Sequence, residues 1–203
     1  MKPHAHRGDT RSQPMLPAIA VARIMKRNMP NTMTRPTSTE HAPYYGNYIK
    51  NVPEDDVLAV LDAQAHEVET LLGSISESQA TVQHPPYTWT IKQVVGHLID
   101  AERIFAYRAL RFARGDGQPL PGFDENAYIA PAEFERLTLK TLADEFAAVR
   151  QATLHLFRNL PEASWTRSGV ASGSPMSVRA AAFTIAGHVR HHLAIVRKRL
   201  GQQ

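Results

Sequence analysis

Val178-Arg179-Ala180-Ala181-Ala182-Phe183-Thr184-Ile185-Ala186-Gly187-His188-Val189-Arg190-His191-His192-Leu193-Ala194-Ile195 carries the period of one helix face. Val178, Ala181, Ile185 and Ile195 share an apolar stripe of three- and four-residue steps. His188 and His192 fall on that same stripe, where the pattern calls for core residues. Residues four apart project from one face, one turn apart. Two imidazoles so placed can reach a single ion at about 2.0–2.1 Å each. The competing reading is a pair of ordinary surface or capped core histidines. Burial makes that reading expensive, since an unpaired polar ring inside a core costs roughly 1–3 kcal/mol. Ser177 stands where an N-cap belongs, and Gly201 follows the expected helix end at Leu200.

Working outward, three more helices emerge. Val57, Leu61, Ala65, Val68, Leu72 and Ile75 form the stripe of a first helix, with Pro53 near its first turn. Thr90-Ile91-Lys92-Gln93 fits a capping box at the start of a second. Its inner positions are Ile91, Val94, Leu98, Ala101 and Phe105, and it ends near Arg114 before Gly115-Asp116-Gly117. A third carries Leu142, Phe146, Val149, Thr153, Leu156 and Leu160 and is closed by Pro161. Residues 163–176 are rich in Ser and Gly and read as a loop, and no β-type alternation persists. The fold class is therefore all-α, a four-helix bundle. Residues 115–131, with Pro119, Pro121, Gly122 and Pro131, make a long crossover between helices 2 and 3, with a short helical turn within 124–136. Such a connection lets the third helix run parallel to the second. His97 lies close to the inner face of the second helix. Gly96 and Gly187, just before His97 and His188, leave room for another backbone or a ligand.

The chain contains no cysteine, which excludes disulfides, thiolate metal sites and a cysteine nucleophile. Any metal must sit on histidine, carboxylate or water. The net charge of +4 belongs to the N-terminal segment. Residues 1–33 hold six cations and one acid, leaving seventeen cations and eighteen acids from residue 34 onward. A nucleic-acid-binding body would carry its positive charge on its own surface, so no nucleic-acid partner is expected. Met15–Ala22 is too short an apolar run to span a bilayer; no membrane association and a cytoplasmic location are expected. Residues 1–43 read as a disordered N-terminal extension, with Met33 a natural alternative start, and 44–203 as the domain.

Beyond periodicity, Tyr87-Thr88-Trp89-Thr90-Ile91-Lys92-Gln93-Val94-Val95-Gly96-His97-Leu98-Ile99-Asp100-Ala101-Glu102-Arg103 resembles the second-helix signature of the DinB-like family, which is unrelated to the DNA polymerase of that name. Ala186-Gly187-His188-Val189-Arg190-His191-His192 resembles its last-helix signature, and Pro121-Gly122-Phe123-Asp124-Glu125-Asn126-Ala127-Tyr128 its crossover. The resemblance covers about residues 44–200. It implies a crossover four-helix bundle, a homodimer, and one divalent metal ion on His97, His188 and His192. Zinc or nickel heads the list of ions, followed by manganese or iron. It further implies a metal-dependent thiol S-transferase acting on a small electrophile, with a low-molecular-weight thiol such as bacillithiol or mycothiol as cosubstrate. A metal-dependent hydrolase and a non-enzymatic, dimeric stress-response protein are the alternatives, because family members include thiol transferases, a thiol-dependent isomerase and proteins described as hydrolases.

Other residues carry weaker signals. Asp124 is a candidate general base, although an Asp after glycine in a loop is commonly a cap. Tyr44, Tyr45 and Tyr48 either cover the mouth of the site or pack on the bundle. Asp100 and Glu102 are expected to face solvent or pair with Arg103 or a nearby basic residue. His191 points about 100° off the stripe, toward the rim. His66, His84 and His155 lack a partner at metal-binding spacing, and His4, His6 and His41 fall in the N-terminal segment.

Overall fold

A computed structural model describes residues 34–201. Its helices are α1 (Gly46–Ile49), α2 (Val57–Gly73), α3 (Glu77–Ala80), α4 (Ile91–Ala113), α5 (Glu125–Ala132), α6 (Leu139–Arg158) and α7 (Val178–Arg199). The four long ones, α2, α4, α6 and α7, form the bundle. α2 and α4 each pack against both α6 and α7, so α2 and α4, consecutive among the long helices, lie across the core from one another. Residues 114–138, including α5 and a 3-10 turn at Phe134–Arg136, carry the chain from α4 to α6. None of these helices is long and apolar enough to cross a membrane.

Local chemistry sets the ends of the long helices. Asp56 accepts the Ala59 amide at the start of α2. The Thr90 hydroxyl accepts from the Gln93 amide at 3.1 Å while Gln93 Oε1 accepts from the Thr90 amide at 2.9 Å, closing the expected capping box. Ser177 caps α7 through the Ala180 amide, and Gly201 follows its end at φ +69°.

The segment 163–176 is more ordered than its composition implies. β1 (Ser168–Ala171) and β2 (Ser174–Ser177) pair antiparallel in a hairpin, with Ser172 and Gly173 at φ +53° and +74°. Two left-handed residues in succession match the twist of a two-residue hairpin turn. The crossover docks on it: Leu120 donates to Val170 O, and Ser172 donates to Leu120 O. The fully buried Arg108 joins the pieces, donating to Pro121 O and Ser172 Oγ at 2.9 and 3.0 Å.

Residues 34–43, read from the sequence as the end of an N-terminal extension, make contacts with the rest of the domain. Arg35 donates to the Val52 and Ile49 carbonyls, and Glu40 forms an ion pair with Arg179 of α7 at 2.7 Å. His41 is buried and its Nδ1 lies 2.9 Å from Ala42 O. Residues 34–43 are thus part of the folded body, because Arg35 and Glu40 find buried partners that composition does not reveal. Residues 1–33, including Met33, lie outside the described residues.

Two apolar clusters fill the bundle, one around Phe105, Phe112, Phe157 and Phe183, the other around Leu72, Leu98, Phe146 and Val196. A polar layer runs between them. Arg150 of α6 grips both oxygens of Glu102 of α4 at 2.8 and 2.7 Å, and donates to Leu61 O and Gln64 Oε1 of α2. Gln64 Nε2 donates to Ala186 O of α7 at 2.8 Å. Every bundle helix joins this layer. Glu102, 2% exposed, therefore does not face solvent or pair with Arg103; its partner is Arg150, itself 0% exposed. On α6, Arg150 is buried where Val149 was expected, and Val149 is only half-buried. Asp100 does lie beside Arg103, at 3.7 Å.

Replacing Arg150 with Ala strands the Glu102 carboxylate in the core. We expect unfolding in urea at a stability about 3–5 kcal/mol lower, with Arg150→Met and Glu102→Gln together costing less than Arg150→Ala alone.

Candidate metal centre

Three histidines meet beside the polar layer. His97 comes from the inner face of α4, His188 and His192 from consecutive turns of α7. One ring nitrogen from each lies within 4.8 Å of the other two. His97 Nε2 and His192 Nε2 are both 3.0 Å from His188 Nε2. The rings cluster edge to face, with centroids 4.5–5.1 Å apart. His97 and His188 are buried and His192 partly so.

Glycine makes this geometry attainable. A Cβ on Gly187 would sit 2.0 Å from the Tyr48 carbonyl oxygen, so only glycine lets α1 lie against α7. A Cβ on Gly96 would meet the Phe134 ring at 2.4 Å. Both close approaches flank histidines of the cluster, as the sequence suggested; one neighbour is backbone, the other an aromatic ring.

α1 brings Tyr48 to the site. Its ring packs on His188 at 5.0 Å and His191 at 5.4 Å, and its hydroxyl bonds the Tyr44 hydroxyl at 2.7 Å. Burial, then the bond to Tyr44, pushes the Tyr48 hydroxyl pKa up. Tyr45 instead packs on Phe105 in the core. Trp89, just ahead of α4, covers His97 with ring centroids 5.0 Å apart.

Burial holds all three imidazoles neutral. It pulls His97 down to about 4 and His192 to about 3, and sends His188 well below the ordinary imidazole value, helped there by its neighbouring rings. The one carboxylate whose charge is felt at His97 is Glu125, the first residue of α5; it acts against the burial effect and also on Tyr48. Asp124, the sequence candidate for a base, is spent as the N-cap of α5, accepting the Asn126 and Ala127 amides at 2.9 and 3.2 Å. Glu125 and Trp89 were not singled out from sequence. The Asp124 cap supplies the missing signal for Glu125, because a capping Asp turns the next residue into the helix.

The other histidines among the described residues stay apart. His191 lies on the rim, its ring 5.1 Å from His192, outside the three-nitrogen cluster. His66 is exposed beside Glu69, His84 contacts Arg199, and His155 is exposed.

The donor set fits a divalent cation. A ring nitrogen offers either one proton or one lone pair, so His188 Nε2 cannot bond both neighbours at once. Three convergent neutral nitrogens without a counter-charge are an electrostatic void that a cation fills. Imidazole nitrogens are ordinary ligands of divalent transition metals, so these three could hold one such ion.

Residues 60–196 match the model of the DinB superfamily. The chain belongs to that superfamily. Its fold resembles YfiT from Bacillus subtilis, described as a probable metal-dependent hydrolase with an unusual four-helix bundle topology. The TM-score is 0.63 at 17% identity, over 83% of this chain and 94% of YfiT. It also resembles the mycothiol-dependent maleylpyruvate isomerase, with a TM-score of 0.59 at 12% identity, over 71% of this chain and 61% of the isomerase. No curated protein sequence matches the chain. Identities this low speak to the fold alone.

The lowered imidazole values set a pH dependence for the metal-free protein. Unfolded histidines take up protons near 6.5, whereas the folded site refuses them until about 4 at His97. The folded form is therefore favoured above 6.5 and loses that advantage as pH falls toward 4. We expect the urea midpoint of metal-free protein to drop across this window, and His97→Phe to flatten the slope.

Proposed function

We propose that the protein is a metal-dependent transferase that joins a small thiol to a small electrophile, with one divalent ion held by His97, His188 and His192. The observation that carries this reading is the convergence of three buried, neutral imidazole nitrogens that cannot satisfy one another. An ion there supplies the positive charge that favours an anionic nucleophile, thiolate or hydroxide, over its neutral acid.

The chain's own side chains would do the rest. Tyr48 and Trp89 shield two of the imidazoles and exclude water from the flanks of the site. The Tyr44–Tyr48 hydroxyl pair offers a donor to a group developing negative charge. Glu125, whose charge is felt at His97 and Tyr48, would accept the thiol proton. The sulfur then forms a bond to the electrophilic carbon, and the leaving group departs with the electron pair of the bond that breaks. The solved relative that uses mycothiol supports thiol chemistry; the one described as a hydrolase supports water as the nucleophile on the same ligands. A homodimeric assembly, expected from the family, belongs to the same proposal.

Zinc- or nickel-loaded protein, mixed with a low-molecular-weight thiol and monochlorobimane, is expected to accelerate conjugation. Chelation should abolish the rate, and Glu125→Gln should lower kcat while leaving metal content intact. A loaded protein that leaves thiol conjugation at the background rate yet cleaves activated esters would replace the transferase reading with the hydrolase one.

A further inference from the structure

The loop 82–89 brings Trp89 to His97, with the two ring centroids 5.0 Å apart. It is not packed flat on the bundle. A cleft of about 500 Å³ is lined by residues 82–87 of this loop and by Lys198 and Arg199 of α7. Two hydrogen bonds lie within the loop, from Tyr87 N to His84 O at 2.9 Å and from Gln83 Nε2 to Thr88 O at 2.7 Å. They set its shape and leave its position on the bundle open.

Position comes from Arg199, the last residue of α7. Its Nη2 shares its hydrogens among Trp89 O at 2.8 Å, Val82 O at 3.3 Å and His84 Nδ1 at 3.3 Å. A guanidinium can only donate, so His84 Nδ1 is the acceptor. The guanidinium carbon also lies 5.3 Å from the centroid of the Tyr87 ring. Every hydrogen bond of this side chain among the described residues goes to the loop, while its buried Nε–H finds no acceptor. Arg199 follows His192 by seven residues, two turns along one face of α7. The helix that supplies two of the clustered imidazoles thus also holds the cover of the third.

We propose that Arg199 is a positioning residue: its guanidinium pins the loop 82–89 to the end of α7 and so keeps the Trp89 indole over His97. The inference concerns the histidines themselves and goes beyond the transferase reading, since it holds with or without an ion. A lysine would not serve. One ammonium lacks the planar fork, and it cannot lie over Tyr87 while reaching carbonyls at both ends of the loop.

Carbethoxylation by diethyl pyrocarbonate tests this on metal-free protein at neutral pH, followed residue by residue with peptide mass spectrometry. Burial keeps both His97 and His188 in the reactive neutral form. In Arg199→Lys we expect His97 to react about tenfold faster, the factor for one lost hydrogen bond to a charged group. His188, covered by Tyr48 instead, should keep its wild-type rate. Trp89 emission, read in a Trp165→Phe background, should move to longer wavelength. Arg197→Gln is the control: it breaks the ion pair with Glu67 at the same end of α7 without touching the loop, and both rates should stay at wild type. Trp89→Ala removes the cover itself, so His97 should be fast there and adding Arg199→Lys should change it no further. An unchanged His97 rate in Arg199→Lys, equal acceleration of His97 and His188, or a further rise when Arg199→Lys is added to Trp89→Ala would overturn the proposal. A protein that takes up no zinc would sink the metal reading and leave these rates as a separate result.

Discussion

Three imidazoles that aim their nitrogens at one point cannot satisfy each other, and the fold is arranged to hold them there. Each nitrogen can donate or accept once, and burial denies each the proton that would make it a cation. The arrangement is costly in the absence of a ligand, because partly dehydrated polar groups are left underused. It persists because the surrounding packing leaves the rings no alternative. Tyr48 closes one side and Trp89 another; Gly187 lets the Tyr48 backbone come close to α7, and Gly96 admits the Phe134 ring beside His97.

The polar layer explains why α4 and α7 keep their register. Arg150 ties α6 to α4 through Glu102 and to α2 through Leu61 O and Gln64, and Gln64 ties α2 to the Ala186 carbonyl. That carbonyl lies two residues before His188. A slip of α7 along its axis would break the Gln64 bond before it carried His188 away from His97. The apolar clusters on either side supply the bulk of the stabilisation, but apolar contacts alone are weakly directional. The hydrogen-bonded layer fixes position. Farther along α4, Arg108 does the same for the crossover and the hairpin.

Much of this was legible in the sequence, for identifiable reasons. Helical periodicity located all four long helices, and Thr90, Gln93 and Ser177 declared their starts through their capping chemistry. His188 and His192 stood out because they interrupt an apolar stripe without leaving it, and a glycine before each of His97 and His188 marked a close approach. What stayed hidden depends on pairing across distance. Glu102 and Arg150 look like surface charges until they meet 48 positions apart. The Ser- and Gly-rich segment 163–176 has too few apolar residues to show alternation, and its hairpin is held by the turn at Ser172-Gly173 and by Leu120. Asp124 is the cap that an Asp in a loop commonly is, and Glu125 beside it went unnoticed because the helix start was not known. Arg35 and Glu40 were assigned to a tail because their partners, the Val52 carbonyl and Arg179, are remote in sequence.

The account stands on the three histidines acting as one ligand set, and titration of zinc or nickel into metal-free protein by calorimetry tests that directly. The wild type is predicted to bind one ion per chain. His97→Ala, His188→Ala and His192→Ala should each weaken binding by orders of magnitude, and His191→Ala should barely alter it. Binding that survives His97→Ala but is abolished by His191→Ala, or a wild type that takes up no ion, would contradict the site described here.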